Sequence, residues 1–280
     1  MLEHIVADLV DRVERRFYGK YRGFVVSNQD PARLGRVRVR VPSVLGEDVV
    51  TGWATPCAPA GGLAGLGLLF VPERDSGVWV EFEEGDLEFP IWTGTFWTKN
   101  DTGSGIPRPA KNDGHAEDDV QETPTRKIIT TTKGHTLQFE DADGEEMLLI
   151  SEGVHHHVLR MDAKGVALTD GDGSTIEMSD EGITVKDTYG NQIVLRDAGI
   201  HLEDVKGSTV EMGDKDITVK DAHGNQIALR EQGVRLEDVT GNALDMGTQK
   251  VTLTSKVPFT IDAAGQPVKI VADAIALEKG

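Results

Sequence analysis

Residues 186–196 read Lys186-Asp-Thr-Tyr-Gly-Asn-Gln-Ile-Val-Leu-Arg196, and 34 positions later the chain returns Lys220-Asp-Ala-His-Gly-Asn-Gln-Ile-Ala-Leu-Arg230. Half of that period shows in the glycines, because Gly173, Gly190, Gly207, Gly224 and Gly241 fall 17 residues apart. Each 17-residue unit holds two apolar pairs spaced i, i+2, whose first members step alternately by 7 and 10. These are Leu159, Val166, Ile176, Ile183, Ile193, Ile200, Val210, Ile217, Ile227, Val234, Leu244, Val251, Ile261 and Val268. Their partners are Met161, Leu168, Met178, Val185, Leu195, Leu202, Met212, Val219, Leu229, Leu236, Met246, Leu253, Ala263 and Ile270. All 28 positions are apolar in a chain that is 38% apolar, which rules out coincidence.

Apolar residues two apart, with polar residues between them, describe short strands that bury one face. Turns such as Asp-Glu-Gly and Asp-Ala-Gly join them. A single-chain solenoid needs about three faces to enclose a core, and 17 residues supply only two strands. Three chains wound about a common axis solve the problem, with the inward side chains meeting on that axis. The expected fold is therefore all-β, ending in an intertwined trimeric β-helix whose coils are closed by strands from all three protomers. The expected trimer core is the first twelve pairs, Leu159/Met161 to Val251/Leu253. Each inward side chain contributes roughly 1.5–3 kcal/mol before entropy is subtracted, so folding and trimerisation are expected to be inseparable.

Composition narrows the function classes. Aromatic residues make up 5% and glycines number 32, a turn-rich balance that favours strands. The formal charge is −18, and from Lys127 onward 27 acidic residues face 15 basic ones, which repels phosphate backbones. The one cysteine, Cys57, has no partner in the chain and is expected to be a small buried apolar residue. Residues 1–17 open with Leu2, Ile5, Val6, Leu9 and Val13 at helical spacing among charges. That is an amphipathic docking helix; it lacks the continuous apolar core of a signal peptide. The expectation is synthesis in the cytoplasm without a cleaved signal, followed by incorporation into a larger particle.

Residues 18–98 contain alternating stretches at Arg36–Val41 and Val78–Phe82, which suit a small five- or six-stranded barrel. Four stretches carry a resemblance: Tyr21-Arg-Gly-Phe-Val, Asp30-Pro followed by Leu34-Gly-Arg-Val-Arg-Val, Gly77-Val-Trp-Val-Glu-Phe-Glu-Glu-Gly-Asp, and Pro90-Ile-Trp-Thr-Gly. Together they resemble the OB-fold domain of phage baseplate assembly protein V and of VgrG-like central spike proteins of contractile injection systems. Lys133-Gly-His-Thr-Leu-Gln-Phe-Glu-Asp likewise resembles the entry into their triple-stranded β-helix. The resemblance implies a docking helix over 1–17, an OB collar over 18–98, a linker over 99–126 rich in Pro, Gly and Asp, and a needle over 127–280. It implies a non-enzymatic, cofactor-free homotrimer at a baseplate, touching a target membrane only mechanically.

Two departures bear on partners. Type VI spikes carry a large hub domain ahead of the barrel; only a short helix stands there in this sequence, so separate hub and inner-tube proteins are expected. Some phage spikes close on a His-x-His apex that binds iron; residues 274–280 contain no histidine, which points to a tip protein of the PAAR type or a bare tip.

The remaining motifs have plainer readings. In a strand, His155 and His157 share one face, which in a trimer is enough for a metal; a polar junction before Leu159 accounts for them as well. Asp170-Gly-Asp-Gly-Ser alternates oxygens as calcium loops do, yet lacks a later bidentate Glu and reads as a turn. The pairs Glu145/Glu146, Glu203/Asp204 and Glu237/Asp238 offer paired carboxylates for glycoside chemistry; they recur with the repeat, as solvated strand ends do. Two other functions stay open: an oligonucleotide-binding OB fold, disfavoured by 7 basic against 10 acidic residues from Phe17 to Trp97, and a trimeric fibre or receptor-binding stalk.

Overall fold

The computed structural model of the 280-residue chain describes residues 6, 10, 16–100 and 103–278, and it divides into two compact units, Met1–Ile106 and Pro107–Gly280. The helix expected over 1–17 falls largely outside the described residues.

The first unit is built from β1 (Tyr21–Ser27), β2 (Arg38–Arg40), α1 (Pro42–Leu45), β3 (Thr55–Pro56), β4 (Gly77–Phe82) and β5 (Pro90–Phe96), followed by a small hairpin of β6 (Lys99–Asn100) and β7 (Gly103–Ser104). Strands β1 to β5 form one sheet in the order β2-β1-β4-β5-β3. Bridges Val37↔Ala54 and Arg40↔Val50 join the β2 end to the chain leading into β3, which curls the sheet into an OB-type half-barrel. The alternation explains the inside: Val37, Val39 and Val41 point inward while Arg36, Arg38 and Arg40 point out, and Val78, Val80 and Phe82 repeat the pattern on β4. Trp92 and Val25 complete this core. Asp30 holds the loop before β2 by accepting from Ala32 N at 3.0 Å, Leu34 N at 2.8 Å and Arg36 Nη2 at 2.6 Å. Those donors, Arg36 first, hold its carboxyl well below the usual range. Cys57 is exposed, contrary to expectation, because it opens a surface loop directly after edge strand β3.

The second unit is a single sheet of fifteen strands, each hydrogen-bonded antiparallel to its neighbours in sequence. It begins with β8 (Arg126–Thr130), β9 (Thr136–Glu140), β10 (Met147–Ser151), β11 (Val158–Asp162) and β12 (Gly165–Thr169). The regular part continues with β13 (Thr175–Ser179), β14 (Gly182–Lys186), β15 (Gln192–Arg196), β16 (Gly199–Glu203) and β17 (Thr209–Met212). It finishes with β18 (Asp216–Lys220), β19 (Gln226–Arg230), β20 (Gly233–Glu237), β21 (Ala243–Gly247) and β22 (Val251–Thr254). The period of 17 is now physical: two five-residue strands, one five-residue turn such as 187–191 and one two-residue turn such as 180–181.

Three expectations change here. Where the sequence reading closed each coil with strands from three protomers, the backbone ladder from β8 to β22 runs within one chain, since two- to six-residue turns bring consecutive strands together at minimal loop-closure cost. The last two apolar pairs, Ile261/Ala263 and Val268/Ile270, form no strand; Pro258 and Pro267 nearby remove ladder donors. Within the span 99–126, residues 107–125 are not a bare tether but lie on the start of the sheet. Ala110 exchanges hydrogen bonds with the Gln138 side chain at 2.8 and 3.3 Å, and Arg126 bridges Glu117 and Glu140 at 2.6 Å each.

Candidate functional site

The strand registers align all twelve expected core pairs into two unbroken columns on one face of the sheet. Residues directly opposite each other on antiparallel strands point to the same side. Column A passes Leu159, Leu168, Ile176, Val185, Ile193 and Leu202, then Val210, Val219, Ile227, Leu236, Leu244 and Leu253. Column B passes Met161, Val166, Met178, Ile183, Leu195 and Ile200, then Met212, Ile217, Leu229, Val234, Met246 and Val251. None of these 24 residues is buried; Met178 is 44% exposed and Ile227 is 42% exposed, against 0% for Val39 and Val80 in the OB core.

The columns also reach further back than the periodicity showed. Ile129, Leu137 and Ile150 extend column A, and Phe139 and Leu148 extend column B. The clue was the alternation in Leu137-Gln-Phe139 and Leu148-Leu-Ile150. It escaped the period because six-residue connections, 141–146 and 152–157, replace the regular turns there.

The opposite face is treated differently. Along β8 to β11 it is covered by residues 107–125, so that Gln138 and Leu149 are fully buried and Ser151 and Val158 nearly so. Further along it carries polar side chains that satisfy each other. Arg235 donates to Glu237 at 2.8 Å and Asp245 at 3.1 Å, and Gln226 donates to Glu237 at 2.8 Å. These partners, Arg235 first, bring the Glu237 carboxyl down to about 2. One double repeat earlier, His201 stands where Arg235 stands, bonded to Glu211 and, at 3.3 Å, to Glu203. Glu211 first and Glu203 second raise its pKa.

The margin where the five-residue turns stack is stapled. In each such turn from 170 onward the leading Asp caps the turn: Asp187 accepts from Tyr189 N and Asn191 N at 2.9 Å, and Asn191 Nδ2 donates to Asp187 Oδ2 at 2.6 Å. The Asn then accepts from the next such turn, Val205 N to Asn191 Oδ1 at 3.0 Å and Val239 N to Asn225 Oδ1 at 3.1 Å. Asp170-Gly-Asp-Gly-Ser is one of these turns, with Asp170 accepting from Ser174 N at 2.8 Å. The carboxylate pairs separate in the same way: Asp204 and Asp238 cap turns while Glu203 and Glu237 join the ladder on the polar face.

His155 and His157 lie in a turn at this margin, not in the strand expected. The Glu152 carboxylate accepts from Val154 N and His155 N, and His156 takes a φ of 62°. Glu152, His155 and His157 bring one ligating atom each within 4.8 Å of one another. However, His157 Nδ1 accepts from Gly171 N at 3.1 Å, the role Asn191 plays elsewhere, and a neutral imidazole has one lone pair to give. A cation at this position competes with the turn's own hydrogen bonds, and the cluster lies off both apolar columns.

The half-barrel strand order and the inward Val and Trp pattern are those of an OB-like sheet. Residues 21–97 match the type VI secretion system/phage-baseplate injector OB domain. The injector OB domain is a structural baseplate domain, and the match supports a baseplate spike role in general terms. It covers the first unit's barrel and leaves the long sheet to be read from its own geometry. Among curated proteins, none matches this sequence. No helix among the described residues is long and apolar enough to cross a membrane.

Proposed function

We propose that three copies pack their apolar columns about a threefold axis to form the central spike of a contractile injection machine. The observation that carries this reading is the uncovered face. The chain uses residues 107–125 to bury the outer side of its first strands, yet leaves 24 column residues and five forerunners open to water. Exposed apolar patches on that scale mark an assembly surface. Three sheets, each with one apolar and one polar face, close a dry core that one sheet cannot enclose.

In this reading the OB unit is the collar at the baseplate, where hub, inner-tube and other baseplate proteins are its neighbours, and a tip protein of the PAAR type is a further candidate partner. Sheath contraction drives the needle through the target envelope. The work is mechanical: the recurring carboxylates are committed to turns and cross-strand bonds, and the reading calls on no cofactor. A fibre or receptor-binding stalk would share the sheet but gives an injector-type OB unit no task.

Sedimentation of the purified chain, with peroxide footprinting of its methionines, tests the proposal. The expected result is a trimer in which Met178, Met212 and Met246 resist oxidation until denaturant is added. A compact folded monomer, or column methionines that oxidise as fast as free methionine, would overturn it.

A further inference from the structure

Residues 255–278 keep the apolar alternation at Ile261, Val268 and Ile270, all exposed, yet add no strand to the sheet. Pro258 and Pro267 have no N–H to donate, so the segment is a poor continuation of the ladder. Val257 to Thr260 instead line one side of an open groove of about 820 Å³. The groove's other side is column A at Ile227, Leu236, Leu244 and Leu253. The segment therefore faces its own sheet across that groove, and Val257 and Phe259 remain more than half exposed.

We infer that residues 257–261 are a filler between copies at the β19–β22 end, facing column A of their own chain across the groove and presenting Phe259 to the apolar face of a second copy. This rests on the trimer proposed above. The segment's exposed side chains are apolar, and in a trimer the surface opposite them is the same two hydrocarbon columns of the neighbour. Burial of Val257 and Phe259 there removes from water the apolar area that the single chain leaves open.

Photo-cross-linking in the full chain tests the inference, with a benzophenone side chain replacing Phe259 and the sample first sized by sedimentation. The expected result is a product of two chain masses whose cross-linked peptide comes from β19–β22 of the other copy. A trimeric sample that yields only intrachain product, or cross-links to any other part of the neighbour, would overturn the filler and leave the trimer standing. A monomeric sample would overturn the trimer reading itself. Phe259→Ser gives a second readout: in the trimer, amide exchange at Val251–Thr254 is expected to quicken at least tenfold, and unchanged exchange counts against the inference.

Discussion

Gly182 begins β14 with a φ of 126°, and a Cβ placed there would sit 2.0 Å from the carbonyl oxygen of Leu195 on the neighbouring strand. Gly165, Gly199 and Gly233 repeat the situation at the other two-residue turns, so the tight side of the sheet depends on bare backbone. Gly182→Ala is therefore expected to cost about 1–3 kcal/mol or more, read as a lower Tm in thermal unfolding. By contrast, Gly207→Ala meets open space and carries only the cost of its positive φ. His201 provides a pH signature at the same scale. Its pKa is raised in the folded chain by Glu211 and Glu203, so its stabilising contribution is complete below the ordinary value of 6.5 and disappears as pH rises through the raised value. Wild-type Tm is expected to fall across that window, and His201→Gln should flatten the fall; a profile identical to wild type would refute the role. Arg235, its counterpart one double repeat on, stays charged throughout.

At the scale of elements, the strands of the long sheet were legible because their signal is arithmetic. Val166/Leu168 and Ile183/Val185 recur at fixed steps, and each pair lands on a strand in the expected phase. Where the connections change length the arithmetic fails: β9 and β10 were hidden by six-residue linkers, although Leu137, Phe139 and Ile150 sit on the same face. Spacing also overran the structure at Ile261 and Val268, since periodicity records hydrophobicity but is blind to a missing N–H at Pro258 and Pro267. The histidines misled for a related reason. His155 to His157 read as strand by alternation, but Glu152 two to three residues before two free amides makes a turn, and that capping is invisible to a two-residue period. In the barrel the inward Val37, Val39 and Val41 were readable directly, whereas exposure of Cys57 depends on β3 being an edge, a tertiary fact.

For the whole molecule, the repeat predicts what can be removed. Deleting residues 187–220 joins Lys186 to Asp221, restoring Lys-Asp-x-x-Gly-Asn, and takes out β15 to β18 without shifting either apolar column. In the proposed spike, the shortened chain is expected to fold and assemble as the full one does, with a needle shorter by roughly 19 Å at the usual strand spacing, measurable by electron microscopy. Deleting only 187–203 removes two strands and places Lys186 before Asp204-Val-Lys-Gly-Ser; the Asn191 staple to Val205 is lost, as it is in the 34-residue deletion, and the columns survive. In the proposed spike that variant should be shorter by roughly 10 Å, half the change of the 34-residue deletion.

Because a turn, a strand, a second turn and a second strand form a self-contained module, reach is set in discrete increments. In the proposed trimeric spike, copying or losing one module would move the point by a fixed amount and leave the seam between protomers in register. On that reading the spike can be fitted to envelopes of different thickness by gene duplication alone, with no new packing solution to be found.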